Sequence, residues 1–453
     1  MIERRKPGWL SLLVLALILA IAAGCASGQN ESASQNNGGS PSPSDRTDSQ
    51  KKTGEKIVFW HYLNDRHDLL VGMANDFKSQ TGIEVDVQLF GGDGFKQKII
   101  ASAQTDSLPD LMTYSGGAGD LAKLIETKSV MELGGKMGDT FKKFPESVVK
   151  AYSYREGNPF NVKDYGTYAV PMDTNNMQFI YNKDLFAQAG ITEPPQTWEQ
   201  LLQAVDKLNA AGITPFATGI GSWVIGPMAA PYEFAYLGEE KLIRVKEGKE
   251  PLIGSGYENV LKIFEDLYKH KAFAEGIATM DLPKAEQMFV NGEVAMIFDG
   301  SWAIGVFNQM DPNFQHYDVF MPPKPADAAH EVKITGGIGV PLVVSQKTKH
   351  QDAVLKFVDY LVAKEQQQKY AEKSFNLPAN MEAAKSEGEM SSALRNFSLG
   401  MQHVYESAGI YPSPNVDTAM QKGVQLIVIG QSTPDKVLKQ MDEALQKALK
   451  EKK

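Results

Sequence analysis

The sequence predicts an α/β body preceded by an export leader and a flexible polar tether. Three observations carry this reading. Beyond Lys56, short strand-like runs alternate with helix-period segments. A basic stretch, Arg4-Arg5-Lys6, precedes an apolar run from Leu10 to Ala23. Between the two, Ala26 to about Glu55 is dominated by Ser, Asn, Gln, Gly and Pro, which cannot bury enough area to offset ordering entropy. The apolar run is too short, and too soon followed by polar chain, for a permanent membrane span. Residues 1–24 are therefore read as the leader, 25–55 as its attached cysteine and tether, and the body as starting at 56.

Within the body, Lys56-Ile57-Val58-Phe59-Trp60 is a short apolar strand, followed by a helix pattern through Leu69, Leu70, Met73 and Phe77. Ile83 to Phe90 alternates, with Ile83, Val85, Val87 and Leu89 set against Glu84, Asp86 and Gln88. One face of that strand should be wet, which places it near a sheet edge. Thr197 with Gln200 fits a capping box opening a helix through Leu201, Leu202, Val205 and Leu208. Further helices are expected over Asp352–Tyr370 and Asp435–Lys450.

The 453 residues are 42% hydrophobic and 22% charged, normal for a chain with a real core. The formal charge of −9 argues against a nucleic-acid binder and against electrostatic adhesion to anionic lipid. Cys25 is the only cysteine, so the exported body has no disulfide and no thiolate metal site. Ala22-Ala23-Gly24-Cys25 resembles the bacterial lipobox, although Leu is usual where Ala22 stands. That resemblance implies a diacylated Cys25 and an anchor on the outer face of the cell membrane, with two chains holding far better than one.

Four segments together resemble the carbohydrate-type family 1 of extracellular solute-binding proteins, the group that includes maltose-binding proteins. They are Tyr168-Ala169-Val170-Pro171 running on to Phe179–Phe186; Ala189-Gly190-Ile191 with Pro194–Glu199; Met288–Met296 running into Asp299-Gly300-Ser301-Trp302; and Gly336–Val340 with Ser345-Gln346-Lys347 before the Ala353–Leu361 helix. The resemblance implies a two-lobed periplasmic-binding-protein-like II fold, with ligand held in a cleft between discontinuous lobes joined by a hinge. Crossings are expected near Tyr168–Met172, Met321–Val332 and Ala379–Glu387. These give one lobe of 56–168 plus 325–385 and another of 169–324 plus 386–453. It further implies a monomer that closes on a sugar and hands it to the permease of an ABC importer, needing no cofactor.

A sugar offers hydroxyls around its rim and flat C–H faces, so its site needs carboxylates or amides beside aromatic platforms. α/β clefts open at the carboxyl ends of strands. The candidates there are Trp60, Tyr62 and Asn64 after the first strand, Asp93 after the second, and Ser115 and Gly116 before a helix. Asp173 and Asn175 follow the first crossing, and Trp223 lies in a Gly-rich loop. Asp299 and Trp302 match the family's ligand-facing segment, with Trp302 expected to stack on a sugar face and Asp299 to accept from two hydroxyls. Gly336 and Gly337 would let the backbone approach the ligand, and Tyr411 and Asn415 are further additions. The bland alternatives are core packing for Trp60 and turn formation for Asp93, Asp173 and Asn175.

Enzyme chemistry finds little footing. The seven histidines form no HExxH, and neither a phosphate loop nor a GxSxG elbow occurs. Gly117-Ala118-Gly119-Asp120-Leu121-Ala122 fits a relaxed dinucleotide fingerprint, but in the second strand–helix connection rather than the first. The alternatives left open are the same fold taking a polyamine, peptide or iron, a glycoside hydrolase using Asp173 and Asp299, and a surface adhesin.

Overall fold

A computed structural model describes residues 54–91, 94–384, 391–405 and 407–451. The leader, Cys25, nearly all of the tether and Asp93 lie outside the described residues. The body opens with β1 (Lys56–His61), whose alternation buries Ile57, Phe59 and His61 on one face. β2 (Glu84–Leu89) and β3 (Leu111–Thr113) pair with it in parallel on either side. β2 is the last strand on that side and is half-buried along most of its length, as its alternating sequence requires. A small ribbon follows, β4 (Ser153–Tyr154) against β5 (Gly166–Thr167).

The organising element is β6 (Val170–Asn182), thirteen residues long. Its first half pairs with β10 (Gly336–Val344) and β11 (Leu377–Pro378), and its second half with β8 (Met296–Gly300) and β9 (Tyr317–Phe320). β7 (Phe216–Ala217) lies beyond β8, giving the order β2-β1-β3-β10-β6-β8-β7. One strand thus leaves one sheet and enters another.

Two hydrophobic bodies form on these sheets. The first holds Ile57, Phe59, Leu111, Val170, Met172, Leu342 and Phe357, with a satellite around Phe95, Met112 and Tyr154. The second holds Met177, Phe179, Phe298, Phe320 and the helices that follow. Phe179 anchors it, with ring centroids 5.3 Å from both Phe298 and Phe320 and 5.6 Å from Phe216. A fully buried Phe of this kind contributes roughly 1.5–3 kcal/mol.

The divide between the bodies falls inside β6, between Met172 and Met177, slightly later than the 168/169 division expected from sequence. The second passage moves further. Lys324 bridges to Thr197, the His330 N–H donates to Ala235 O at 3.0 Å, and Lys333 pairs with Glu239. The segment expected to cross at Met321–Val332 therefore stays on the second body, and the chain passes over within β10. Ala379 lies in the first core and Ala393 in the second, so the third passage falls between them.

Local signals behave as their chemistry dictates. Thr197 Oγ1 accepts from the Gln200 N–H at 3.3 Å and caps the helix Trp198–Ala210. The Gln200 side chain returns to the Gln196 N–H, one residue earlier than a strict capping box. The helix expected over Asp352–Tyr370 is two helices, Gln351–Leu361 and Lys364–Ser374, and the last helix spans Pro434–Glu451.

Candidate ligand cleft

Side chains alternate along β6, so Asp173 and Asn175 share one face while Thr174 and Asn176 share the other. The Asp173 face meets the loop after β1. Arg66 Nη1 donates to Asp173 Oδ2 at 2.7 Å and to the Tyr370 hydroxyl at 2.7 Å, and Tyr370 donates to the same carboxylate oxygen at 2.7 Å. Arg66 Nε also reaches Asp65 at 2.8 Å. Burial works against the Arg66 charge, but Tyr370, Asp173 and Asp65 outweigh it and raise its pKa. For Asp173 the balance is reversed. Burial pushes its carboxyl up, opposed by Arg66, Tyr370 and the Val340 N–H. Two donors converging on Oδ2 mark it as an ionised acceptor, and we treat the pair as charged.

Gly339 of β10 lies against this carboxylate, where a Cβ would sit 2.2 Å from Asp173 Oδ1. No larger residue fits without displacing the ion pair. Asn175, opposite Gly337, is the half-buried residue in an otherwise buried run from Val170 to Ile180. Gly336 pairs with Asn176 in the same ladder.

Above this floor, Tyr62 packs on Phe95 with ring centroids 5.5 Å apart. Burial first, then the Asp173 charge, pushes its hydroxyl up to about 12. Tyr152 stands next to it, its pKa raised by burial and by Tyr62, and its hydroxyl donates to Gly116 O at 3.0 Å. Asn64 is exposed at the start of a single turn, and Ser115 is exposed beside buried Gly116.

The second body contributes an indole pair. Trp223 is 51% exposed, and its ring lies 6.0 Å from that of half-buried Trp302 at 45°. The Ser301 N–H donates to Asn176 O at 3.0 Å, which fixes the start of the Trp302 helix, Ala303–Met310, to the shared strand. The Trp302 ring covers Gly300, where a Cβ would lie 2.1 Å from Cζ3.

The structure therefore brings together Tyr62, Asp173, Asn175 and Gly337 at the junction, with Trp302 tied to the same strand and Trp223 beside it, whereas Gly336 faces Asn176 and Val404 on the opposite side of the strand. Other candidates lie elsewhere. Trp60 is taken up by packing, on Phe90 at 5.0 Å with the Lys98 ammonium 4.3 Å from its ring centroid, in the satellite core that Tyr62 also borders. Asp299 is fully buried and Asp173 nearly so, so neither carboxylate lies open to a sugar hydroxyl in this conformation. Tyr411 is buried in the second core, and Asn415 is exposed at the start of the helix Pro414–Ile427.

Sequence reasoning missed Arg66 and Tyr152. Arg66 in Asn64-Asp65-Arg66-His67 looks like a solvated turn. Tyr152 precedes strands too short to read from pattern.

A cavity of about 1250 Å³ opens on the opposite face of β6, lined by Thr174, Leu377, Met381, Arg395 and Leu399 among others. None of the sequence candidates lines it, and the strand alternation that aims Thr174 into it aims Asp173 and Asn175 away. Because the aromatic rings and strand ends gather on the other face, we place the candidate cleft there.

Two α/β bodies sharing long strands, with aromatic and polar loops where they meet, define a two-lobed binding protein. The chain belongs to the bacterial extracellular solute-binding protein family, whose model matches residues 64–368. It is similar to the sn-glycerol-3-phosphate-binding periplasmic protein UgpB of Brucella melitensis, 23% identical over 84% of this chain and 87% of that one. It is also similar to a multiple sugar-binding protein of Streptococcus mutans, 28% identical over 45% of this chain and 49% of the relative. Among solved structures, a chitin oligosaccharide binding protein superposes with a TM-score of 0.70 at 21% identity, covering 87% of this chain and 99% of that one.

Proposed function

We propose that the chain is the substrate-binding lipoprotein of an ABC importer, capturing an uncharged sugar or oligosaccharide between its lobes and delivering it to the membrane permease. The observation that carries the sugar reading is the half-exposed Trp223 beside Trp302, tied by Ser301 to the strand that joins the lobes. Paired indoles suit the flat C–H faces of pyranose rings. The sugar-binding relative and the chitin-oligosaccharide binder support the same class.

A phosphate-bearing solute, as the UgpB likeness would suggest, needs a cation to meet it. Among the described residues at the junction, Arg66 is neutralised by Asp173 and Asp65, and nearby Lys96 pairs with Asp120 at 3.1 Å. This favours a neutral ligand. The ligand-contacting set we propose is Tyr62, Asn64, Ser115, Gly116, Asn175, Trp223, Trp302 and Gly337. Asp173 is proposed to act through Arg66 and the loop that Arg66 holds.

Export and anchoring through a diacylated Cys25 complete the reading, on the strength of the basic, apolar and small-residue pattern before that cysteine. The protein works as a monomer and performs no chemistry on its ligand. The test is a thermal-shift screen of the purified protein against mono- and oligosaccharides, glycerol 3-phosphate, polyamines, peptides and ferric ion. A ligand at 100 times its dissociation constant stabilises the fold by about 2.7 kcal/mol. A rise with one sugar series is expected. A rise with glycerol 3-phosphate alone would overturn the neutral-ligand assignment.

A further inference from the structure

The loop that carries Tyr62 and Asn64 is held from inside by two histidines to which the ligand reading gives no part. His61 ends β1 on its buried face and is 0% exposed, while His67 opens the helix His67–Thr81 and is half-buried. His61 Nδ1 accepts from the Leu63 N–H at 3.3 Å. The Leu63 carbonyl accepts from the Arg66 N–H at 3.3 Å, so buried Leu63 is tied at both ends. On its other side, His61 Nε2 lies 3.1 Å from His67 Nδ1. The rings are 18° from parallel planes with centroids 5.2 Å apart, so the two nitrogens meet edge to edge.

We propose that His61 and His67 are positioning residues for this loop: a neutral imidazole pair, each with its proton on Nε2, that fixes Leu63 and so sets Tyr62 and Asn64 at the lobe junction. A ring nitrogen that accepts carries no proton, so the one proton of neutral His61 is on Nε2 and points at His67. His67 Nδ1 is then the acceptor, which puts the His67 proton on its own Nε2. Only this order satisfies both contacts, because any other placement sets two N–H groups against each other. Arg66 fastens the far end of the loop to Asp173 and Tyr370, so the residues between are held from both sides.

The same geometry gives the loop a sensitivity to acid. A second proton on His61 can go only to Nδ1, where it meets the Leu63 N–H; one on His67 can go only to Nδ1, where it meets the His61 N–H. Either breaks the chain of contacts. The charged and titratable groups facing His61 are His67 from the helix and Arg66 and Asp65 from the turn, with Asp173 of β6 and Tyr370 behind Arg66. β2 places Leu89 opposite it, and Phe59 lies on the same side of β1 with ring centroids 5.7 Å away. Burial first, then His67 and Arg66, resist the charge on His61, with Asp65 opposing, and lower it to about 4. The loop is therefore held at neutral pH and released as the pH falls through that value.

This inference rests on Tyr62 and Asn64 lining the ligand cleft, and its test separates the two ideas. On the ligand-free full chain, imidazole nitrogen NMR at neutral pH should show both histidines bare at Nδ1 and protonated at Nε2, with His67→Gln assigning the second signal. Hydrogen exchange then follows the Leu63 N–H. Its protection should fall between about pH 7 and about pH 4 at least tenfold further in the parent than in His61→Asn, whose carbonyl keeps an acceptor and does not titrate. His61→Phe, which fills the space without an acceptor, should lose that protection already at neutral pH. With the sugar that gives the largest rise in the thermal-shift screen as probe, His61→Phe should bind at least about fivefold more weakly than the parent, and His61→Asn within about threefold. A His61 proton found on Nδ1, or a Leu63 amide protected alike in parent and both His61 variants at every pH, overturns the proposal. The tautomers are read on the parent's own rings, so the first of these results does not depend on a His61 variant folding. If the ligand-free results hold and His61→Phe binds that sugar like the parent, the histidines hold the loop and the cleft assignment of Tyr62 and Asn64 falls instead.

Discussion

Replacing Arg66 with Ala tests whether the loop after β1 is held by a charge network or merely packed. Arg66 makes three polar contacts, to Asp173 and Tyr370 at 2.7 Å and to Asp65 at 2.8 Å. The Asp65 contact is partly open to water and is worth less than about 1 kcal/mol. Asp173 is 2% exposed, and stripping the partner from such a buried charge costs about 3–5 kcal/mol. Tyr370 and the Val340 N–H still donate to Asp173 in the variant, which places the expected loss near the lower end, about 3 kcal/mol. The assay is urea unfolding of parent and variant at neutral and mildly acidic pH. Burial already raises Asp173 against the pull of Arg66, so without that pull it takes up a proton more readily. The variant's deficit should therefore shrink as the pH falls. The paired change Arg66→Met with Asp173→Leu should lie within about 1 kcal/mol of the parent, since a buried ion pair replaced by packing is often neutral. A loss below about 1 kcal/mol for Arg66→Ala would mean that water already reaches Asp173, and the network argument would fail.

Three further outcomes follow from the same geometry. Trp223→Ala removes a side chain that is 51% exposed, so stability should move by less than about 0.5 kcal/mol while sugar affinity, read by calorimetry, falls at least about tenfold. His61 is buried against His67, with ring nitrogens 3.1 Å apart, and burial followed by the His67 and Arg66 charges pushes it from 6.5 down to about 4. Its contribution is intact above pH 6.5 and lost as the pH falls through about 4. The loss is at most about 3 kcal/mol, and less because His67 is partly open to water. His61→Gln should flatten that part of an unfolding-versus-pH curve. Gly339→Ala drives a methyl group into Asp173 Oδ1 and should cost about 1–3 kcal/mol in urea unfolding; a neutral result would show that β10 can shift.

Elements whose signal is local were legible in the sequence. The alternation of Glu84–Leu89 marked an edge strand, and Thr197 marked a helix start, because each depends on residues within one turn or one pleat. Trp60 was read as a ligand candidate, although Ile57, Phe59 and His61 share the buried side of β1, which leaves Trp60 to the other. The passage through β10 was misjudged because the crossing near Met321–Val332 was carried over from the family resemblance and not from the residues of that proline-rich segment. Proline only forbids ladder donors, and that segment packs on the second lobe through its remaining groups, such as the Ala326 N–H on Glu199 at 3.2 Å. The charged pairs were out of reach for a different reason. Arg66 and Asp173 are 107 positions apart, and nothing in local pattern says which buried charges will meet. Asp299 looked open to ligand because it follows an apolar strand and matches the family's ligand-facing segment. What closes it is its place in β8, between β6 and β7, where it is fully buried.

The way β6 is held bears on how the proposed closure would work. On one side of its midpoint Asp173 is clamped to Arg66 and Tyr370; on the other, the Asn176 side-chain amide donates to Phe397 O at 2.7 Å and the Asn176 backbone carbonyl accepts from the Ser301 N–H. Any rotation of one lobe against the other must then be taken up between these clamps, at Thr174 and Asn175, and in the facing Gly336–Gly337 segment of β10. Gly337, at φ +134°, already adopts a conformation that L side chains rarely do. A ligand shifts such an equilibrium only by the contacts it gains in the closed form, and moving it from one part in a hundred to ninety-nine takes about 5.5 kcal/mol. One stacked ring at about 0.5–1.5 kcal/mol does not reach that figure, but stacking on both walls with several hydrogen bonds does. Removing Trp223 should therefore weaken what the second lobe offers the sugar and so reduce the difference in contacts that closes the two. Small-angle scattering of Trp223→Ala at saturating sugar should show the more open particle, and a profile identical to the closed parent would place the closing contacts elsewhere.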